Sequence, residues 1–260
     1  MHSSLVQNWE YKEICSVKNP SKVILLLHGL GSNYLDMENL AIILYKIFNY
    51  KKDTDLININ NIINDFNLNI NNLKDNSISY LQNIFKDYVS IIAVNGVDKH
   101  NNCILGRQWF SLEDRTQNVI QKEVHGAYIK FKEFLNIIKN KYSLLDKDIG
   151  IIGFSQGGIL GCYTAIMENI GVSIGLSSCA IGPNEIKEQS KTPICFIHGT
   201  EDDIITMDLF ENSLNIFNKC FIKPIDKFLI KNLKHAIDLS GIQYTVKFMI
   251  DNNFLSIEKN

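Results

Sequence analysis

The chain has no long hydrophobic run. Its 260 residues contain no uncharged apolar stretch of the length a bilayer-crossing helix needs, about 18 residues or more. Met1 to Asn19 lacks a basic start followed by an apolar core, so no secretory signal is expected. Positive charge is not in excess either. Lys and Arg number 26 against 28 Asp and Glu, a net charge of −2 with no long basic run. That argues against a nucleic-acid-binding or membrane-surface protein. The six cysteines, Cys15, Cys103, Cys162, Cys179, Cys195 and Cys220, are scattered and form no C-x-x-C pair. Their spacing disfavours a disulfide framework or a zinc site and points to reduced thiols in a cytoplasmic protein.

What remains is an ordinary globular composition, 45% apolar, enough for a sizeable core. The length fits one domain, residues 1–260. Short apolar runs alternate with longer helical patterns, which predicts an α/β fold with a mostly parallel sheet. Strands are expected at Val23–Leu27, Val89–Val94, Ile149–Ile152, Val172–Leu176, Ile194–Ile197 and Lys227–Ile230, with Glu10–Val17 as an antiparallel edge strand. Helices are expected at Leu35–Phe48, Asn118–Lys139, Gln156–Glu168, Met207–Asn218 and Ile237–Ile250.

Residues 51–76 depart from this composition, being rich in Asn, Asp and Ile. They read as an insertion carrying a short amphipathic helix. The segment joins the end of a helix to the start of the next strand. It should therefore leave from the N-terminal edge of the sheet, away from the carboxyl edge where ligands bind.

The most informative stretch is Gly153-Phe154-Ser155-Gln156-Gly157-Gly158, after the apolar run that starts at Ile149. It contains G-x-S-x-G between a predicted strand and a predicted helix, the pattern of a nucleophile elbow. A serine on so sharp a turn is strained, and its neighbours approach too closely to carry a Cβ. The Gln156 amide then opens a helix, where orphan N–H groups and the dipole favour an oxyanion.

An activated serine needs a base and a group to orient that base. In this architecture the chain order is serine, acid, histidine. Downstream of Ser155 stand two histidines, His198 and His235. His235 follows the last strand and takes the position of the base. His198 ends a strand and supports the acid loop His198-Gly199-Thr200-Glu201-Asp202-Asp203, in which Asp202 and Asp203 are both candidates. A second oxyanion donor is expected from His28-Gly29-Leu30-Gly31, after the first central strand; the Leu30 N–H is the candidate, and His28 supports the loop. The loop Asn95–Asn118 carries Trp109 and Phe110, read as lining an acyl pocket, with core packing as the alternative for Trp109, and Ser178–Lys191 forms a second specificity loop.

Together these residues resemble the phospholipase/carboxylesterase family of α/β-hydrolases, which includes the acyl-protein thioesterases. The resemblance runs from about Val23 to Met249, outside the insertion. It rests on His28–Gly31, on the six-residue elbow, on His198-Gly199 with Asp202, and on His235. It selects Asp202 over Asp203. Gly106-Arg107-Gln108-Trp109-Phe110-Ser111-Leu112 with His235-Ala236-Ile237-Asp238 looks most like the bacterial carboxylesterase branch. Lys234 stands where the family usually has Gly, Arg107-Gln108 where the thioesterase branch has Pro-Ser, and Asp203 where many members have Pro; none of these removes a catalytic group.

The resemblance implies an α/β-hydrolase fold with helices on both faces of the sheet. It implies a serine hydrolase cleaving carboxylic esters or thioesters through an acyl-serine, with no metal or cofactor, its substrate a small-molecule ester or an acylated substrate whose leaving group is a lipid, a protein cysteine thiol or a metabolite. It leaves a homodimer open. The alternatives are a non-catalytic binding protein on the same fold, which usually lacks a triad member, and a peptidase, which usually carries a larger added domain.

Overall fold

In a computed structural model, the described residues are 3–6, 9–15, 18–48, 85–101 and 103–257. The expected insertion at 51–76 lies outside them. The sheet has eight strands: β1 (Ser3–Val6), β2 (Trp9–Cys15), β3 (Lys22–Leu27), β4 (Val89–Val94), β7 (Ile149–Phe154), β8 (Val172–Leu176), β9 (Ile194–Gly199) and β10 (Asp226–Ile230). Their order is β1-β2-β4-β3-β7-β8-β9-β10. From β4 to β10 every neighbouring pair is parallel, while β2 is antiparallel to both β1 and β4. A two-residue pair, β5 (Asp98–Lys99) and β6 (Arg107–Gln108), forms a small separate hairpin.

The central strands are mostly apolar because both faces are covered. Side chains of β3 alternate between two cores. Val23, Leu25 and Leu27 enter one with Phe131, Leu135 and Leu160. Ile24 and Leu26 enter the other with Leu44, Val246 and Met249. The first core lies under α2 (Gln117–Tyr142), α3 (Gln156–Met167) and α4 (Met207–Phe217). The second lies under α1 (Glu38–Phe48) and α5 (Leu239–Asp251). Helices thus cover both faces, and each crossover returns the chain so that all the parallel strands end at one edge.

Two expectations are corrected. The strand foreseen at the edge is Trp9–Cys15, and it is second from the edge, because Ser3–Val6 pairs along its outer side. The helix foreseen from Leu35 begins as a 3₁₀ turn, Tyr34–Met37, in which the Asn33 side chain accepts the Leu35 N–H at 2.9 Å before α1 proper starts at Glu38. Among the described residues no helix is long and apolar enough to cross a membrane.

Candidate active site

Ser155 stands between the last residue of β7 and the first of α3, with φ 50° and ψ −117°. A side-chain-bearing residue with positive φ is strained, by about 1–3 kcal/mol, and such strain persists only where the surroundings over-determine it. Here they do. The Ser155 N–H donates to the Leu176 carbonyl at 2.9 Å, and the Ser155 carbonyl accepts from the Ser178 hydroxyl at 2.9 Å. The flanking glycines are required sterically. A Cβ on Gly153 would lie 2.3 Å from the Gly157 carbonyl, and one on Gly157 would lie 2.4 Å from the Leu27 carbonyl oxygen. The elbow is thus wedged backbone-on-backbone against the end of β3. The Gln156 amide, in the first turn of α3, has no intrahelical acceptor.

Asp202 lies in the turn after β9. It is buried, whereas Asp203 is exposed. Asp202 Oδ1 accepts the amides of Ile204 at 3.0 Å and Ile205 at 2.8 Å, and Oδ2 accepts Nδ1–H of His235 at 2.8 Å. Asp202, and not Asp203, is therefore the partner of His235. Donation from Nδ1 fixes the tautomer and leaves Nε2 with the lone pair. The His235 loop is held from two sides. The Leu233 carbonyl accepts the Glu201 amide at 3.0 Å, and the Ala236 carbonyl accepts the Ser177 hydroxyl at 3.0 Å. The imidazole packs on the Phe154 ring, 4.9 Å between centroids.

His198 is buried beneath this pair. Its Nε2–H donates to the Ile205 carbonyl at 2.8 Å, and its ring stacks on Phe210 at 4.3 Å. Burial holds its pKa below the ordinary histidine value. It props the acid loop, as expected. His28 is likewise internal. It donates from Nδ1 to the Gly29 carbonyl at 2.7 Å and accepts the Gly96 amide on Nε2 at 2.9 Å. Burial lowers its pKa to about 4, so the ring is neutral at ordinary pH.

The loop from His28 turns at Gly31, φ 73°, and is tied to the β6 hairpin by the Gly31 amide on the Arg107 carbonyl at 2.9 Å and the Arg107 amide on the Ser32 carbonyl at 2.8 Å. Gly29, Leu30, Ser155, Gln156 and His235 all border one cavity of about 880 Å³. Leu30, Ser155, Gln156 and His235 thus meet at a single opening at the carboxyl edge of the sheet, with Asp202 buried behind His235.

Trp109 and Phe110 are not part of that cavity's wall. Both are buried, and Trp109 packs among Trp9, Phe131 and the His28 ring. The hydrogen-bonding pattern explains the placement. The indole N–H donates to the His28 carbonyl at 2.8 Å, the Trp109 amide donates to Gln156 Oε1 at 3.0 Å, and Gln156 Nε2–H donates to the Phe110 carbonyl at 2.8 Å. These residues tie the two candidate oxyanion segments together from behind.

The cavity wall is made instead by Leu112 and Ile120, by Ile159 and Ile181, and by Ile205 and Leu209. Both expected specificity loops contribute, through Leu112 and Arg115 and through Cys179–Ile181. The isoleucines after Asp203 were not anticipated. Cys162 and Cys179 are buried thiols, and desolvation pushes their pKa values up to about 12 and about 11. They are not thiolate nucleophiles at neutral pH.

Comparison with known proteins shows the family. Acyl-protein thioesterase 1 of Emericella nidulans is 27% identical over 145 residues, which cover 51% of this chain and 61% of that protein. Esterase YpfH of Escherichia coli is 30% identical over 162 residues, 60% of this chain and 67% of that protein. The matched stretch thus spans about three fifths to two thirds of these curated relatives. The crystal structure of a carboxylesterase from Mesorhizobium loti superposes with TM-score 0.68 at 15% identity, covering 96% of this chain and 99% of that one, a likeness of fold. The family model described as phospholipase/carboxylesterase matches residues 75–253. With more than half of its length matched, and with an elbow serine and an Asp–His pair at one cavity, this chain belongs to the phospholipase/carboxylesterase family of α/β-hydrolases.

Proposed function

We propose that the protein is a serine hydrolase that cleaves carboxylic esters or thioesters through an acyl-serine intermediate. One observation carries the reading: a buried, doubly amide-bonded Asp202 holds His235 in the Nδ1–H tautomer at the cavity onto which the strained Ser155 opens. In this reading Ser155 Oγ attacks the acyl carbonyl while His235 Nε2 takes its proton. The Leu30 and Gln156 amides receive the charge that develops on the carbonyl oxygen. His235 returns the proton to the departing alcohol or thiol, and Asp202 stabilises the imidazolium. A water molecule, deprotonated by the same histidine, then hydrolyses the acyl-serine.

The mostly aliphatic wall supports an acyl group as the buried part of the substrate. Ser32, Asp36 and Arg115 also border the cavity and give the leaving group a polar setting. The eight-stranded main sheet supports reading 1–260 as one domain interrupted at 51–76. The buried free thiols Cys162, Cys179, Cys195 and Cys220 support a reducing, cytoplasmic setting.

The test is hydrolysis of p-nitrophenyl esters and matched thioesters by wild type beside Ser155→Ala, together with labelling by a fluorophosphonate. Turnover and labelling that vanish in the variant support the reading. A folded wild type that neither turns over any ester nor reacts with the probe would make the protein a binding module. Faster cleavage of a peptide amide than of its matched ester would make it a peptidase.

A further inference from the structure

Ser177 and Ser178, just past the end of β8, are buried and perform no step of the reaction described above. β8 lies between β7, which leads into the proposed nucleophile, and β9, which leads into the acid turn. In the parallel register Phe154 pairs with Leu176, so Ser155 and Ser177 are the next residue on each strand. Both adopt positive φ, 50° for Ser155 and 43° for Ser177. Side-chain-bearing residues stay in that region only where their surroundings hold them.

The bonds that hold them divide by destination. The Ser155 amide donates to the Leu176 carbonyl at 2.9 Å, and the Ser155 carbonyl accepts the Ser178 hydroxyl at 2.9 Å. The Cys179 carbonyl, at 3.2 Å, is a longer second acceptor for that hydroxyl. Ser178 also packs on the start of α3, where a Cβ on Gly158 would lie 2.6 Å from the Ser178 Cβ. Ser177 is bonded to the other side. Its amide donates to the Ile197 carbonyl of β9 at 2.9 Å, and its hydroxyl to the Ala236 carbonyl at 3.0 Å. Ala236 follows His235 directly. Further ties of the His235 loop run to the acid turn: the Glu201 amide donates to the Leu233 carbonyl at 3.0 Å, and the Asn232 amide to the Thr200 hydroxyl at 3.0 Å. Those bonds join base to acid. The Ser177 hydroxyl joins base to nucleophile.

We propose that Ser177 and Ser178 are positioning residues that together set the separation of Ser155 from His235. Ser178 fixes the backbone of the nucleophile, Ser177 fixes the loop of the base, and their adjacency in the chain locks one to the other. Neither borders the Ser155 cavity, so substrate binding does not depend on them. The idea rests on the reading above of Ser155 as nucleophile and His235 as base. Proton transfer between the two needs hydrogen-bond reach, and a displacement of about 1 Å can lower a rate about a hundredfold. Loss of either hydroxyl frees one end of that separation and leaves the other end held.

The test compares Ser177→Ala, Ser177→Gly and Ser178→Ala with wild type, using the whole chain. It combines p-nitrophenyl ester kinetics, urea denaturation and hydrogen exchange of residues 231–238, the last of which needs no turnover. Each variant should lose about tenfold in kcat with KM within about twofold of wild type. Ser177→Gly should be at least as stable as Ser177→Ala, because glycine takes positive φ without strain, and yet lose as much kcat. Exchange at 231–238 should quicken several-fold in both Ser177 variants and stay at the wild-type rate in Ser178→Ala. Wild-type kcat in the folded variants, kcat that recovers with stability in Ser177→Gly, or unchanged exchange in the Ser177 variants overturns the proposal. Quickened exchange in a protein without ester turnover keeps the hold of Ser177 on the His235 loop and rejects the hydrolase reading. Ester turnover that vanishes in Ser155→Ala, with exchange and kcat unmoved in the Ser177 variants, does the reverse.

Discussion

Asp202 Oδ2 accepts the Nδ1–H of His235 at 2.8 Å while Oδ1 of the same carboxylate takes two backbone amides, from Ile204 and Ile205. The amides hold the carboxylate in place, and the carboxylate sets the tautomer of the histidine. Asp202→Asn keeps the shape and offers an N–H where His235 needs an acceptor, so the wrong tautomer is favoured. A fall in kcat of about 10³–10⁴ is expected for ester hydrolysis. Asp203→Asn, at an exposed position, should stay within about twofold of wild type, as expected of surface changes away from the site. Steady-state kinetics on the two variants decide the matter, and the reverse ranking would reassign the acid.

Ser155 combines the proposed nucleophile with φ 50°. Ser155→Ala should abolish turnover and leave the strain in place. Ser155→Gly should also abolish turnover but release strain of about 1–3 kcal/mol, which offsets the roughly 0.5–1 kcal/mol by which glycine ordinarily destabilises. The glycine variant should therefore be at least as stable as the alanine variant in urea denaturation. A clearly less stable glycine variant would mean that the elbow is not strained.

The parts of this arrangement that could be read from the chain were those with short-range or strictly ordered signals. β4 and β8 stand at the expected residues because strands buried on both faces read as nearly continuous apolar runs, interrupted here only by the buried Ser90 and Ser173 and by Gly175. The order Ser155, Asp202, His235 follows from the topology that delivers successive strand ends to one edge. Physics alone left Asp202 and Asp203 together, since one turn holds both; burial and the two amide bonds separate them. Ser3–Val6 escaped notice because four residues carry little pattern, and their pairing with Trp9–Lys12 is a tertiary fact. Trp109 misled for a related reason. An aromatic in a strand-end loop suits a pocket wall and a core equally, and its indole is claimed by the main chain of His28, 81 residues away.

If the Leu30 and Gln156 segments form the proposed oxyanion hole, that contact makes Trp109 a positioning residue for both. Trp109→Phe keeps an aromatic ring against Trp9 and Phe131 but leaves the buried His28 carbonyl without its 2.8 Å donor. Loss of one such bond at a buried acceptor amounts to about 1–3 kcal/mol. Part of that should appear as displacement of Leu30 relative to Gln156. A drop in kcat of about tenfold with KM nearly unchanged is expected, since oxyanion donors act on the transition state. A raised KM with unchanged kcat would mean that the ring contacts substrate instead.

His28 makes the same region sensitive to acid. Its pKa is lowered to about 4 in the folded protein, chiefly by burial, against an ordinary value of 6.5. Below 6.5 the unfolded chain takes up a proton that the native ring does not, so stability falls as pH drops from about 6.5 to about 4 and the loss levels off below that. The difference corresponds to roughly 3 kcal/mol for this group, and His198, also lowered by burial, acts in the same direction. Protonated His28 can no longer accept the Gly96 amide, so the loop His28–Gly31, the proposed oxyanion loop, should loosen before the whole fold does. His28→Gln retains an acceptor for that amide and removes the titration. Its stability at pH 7 should be lower than that of wild type, but its urea midpoint should fall less between pH 6.5 and 4. Parallel loss in the two proteins would show that His28 is not the group whose protonation weakens the fold.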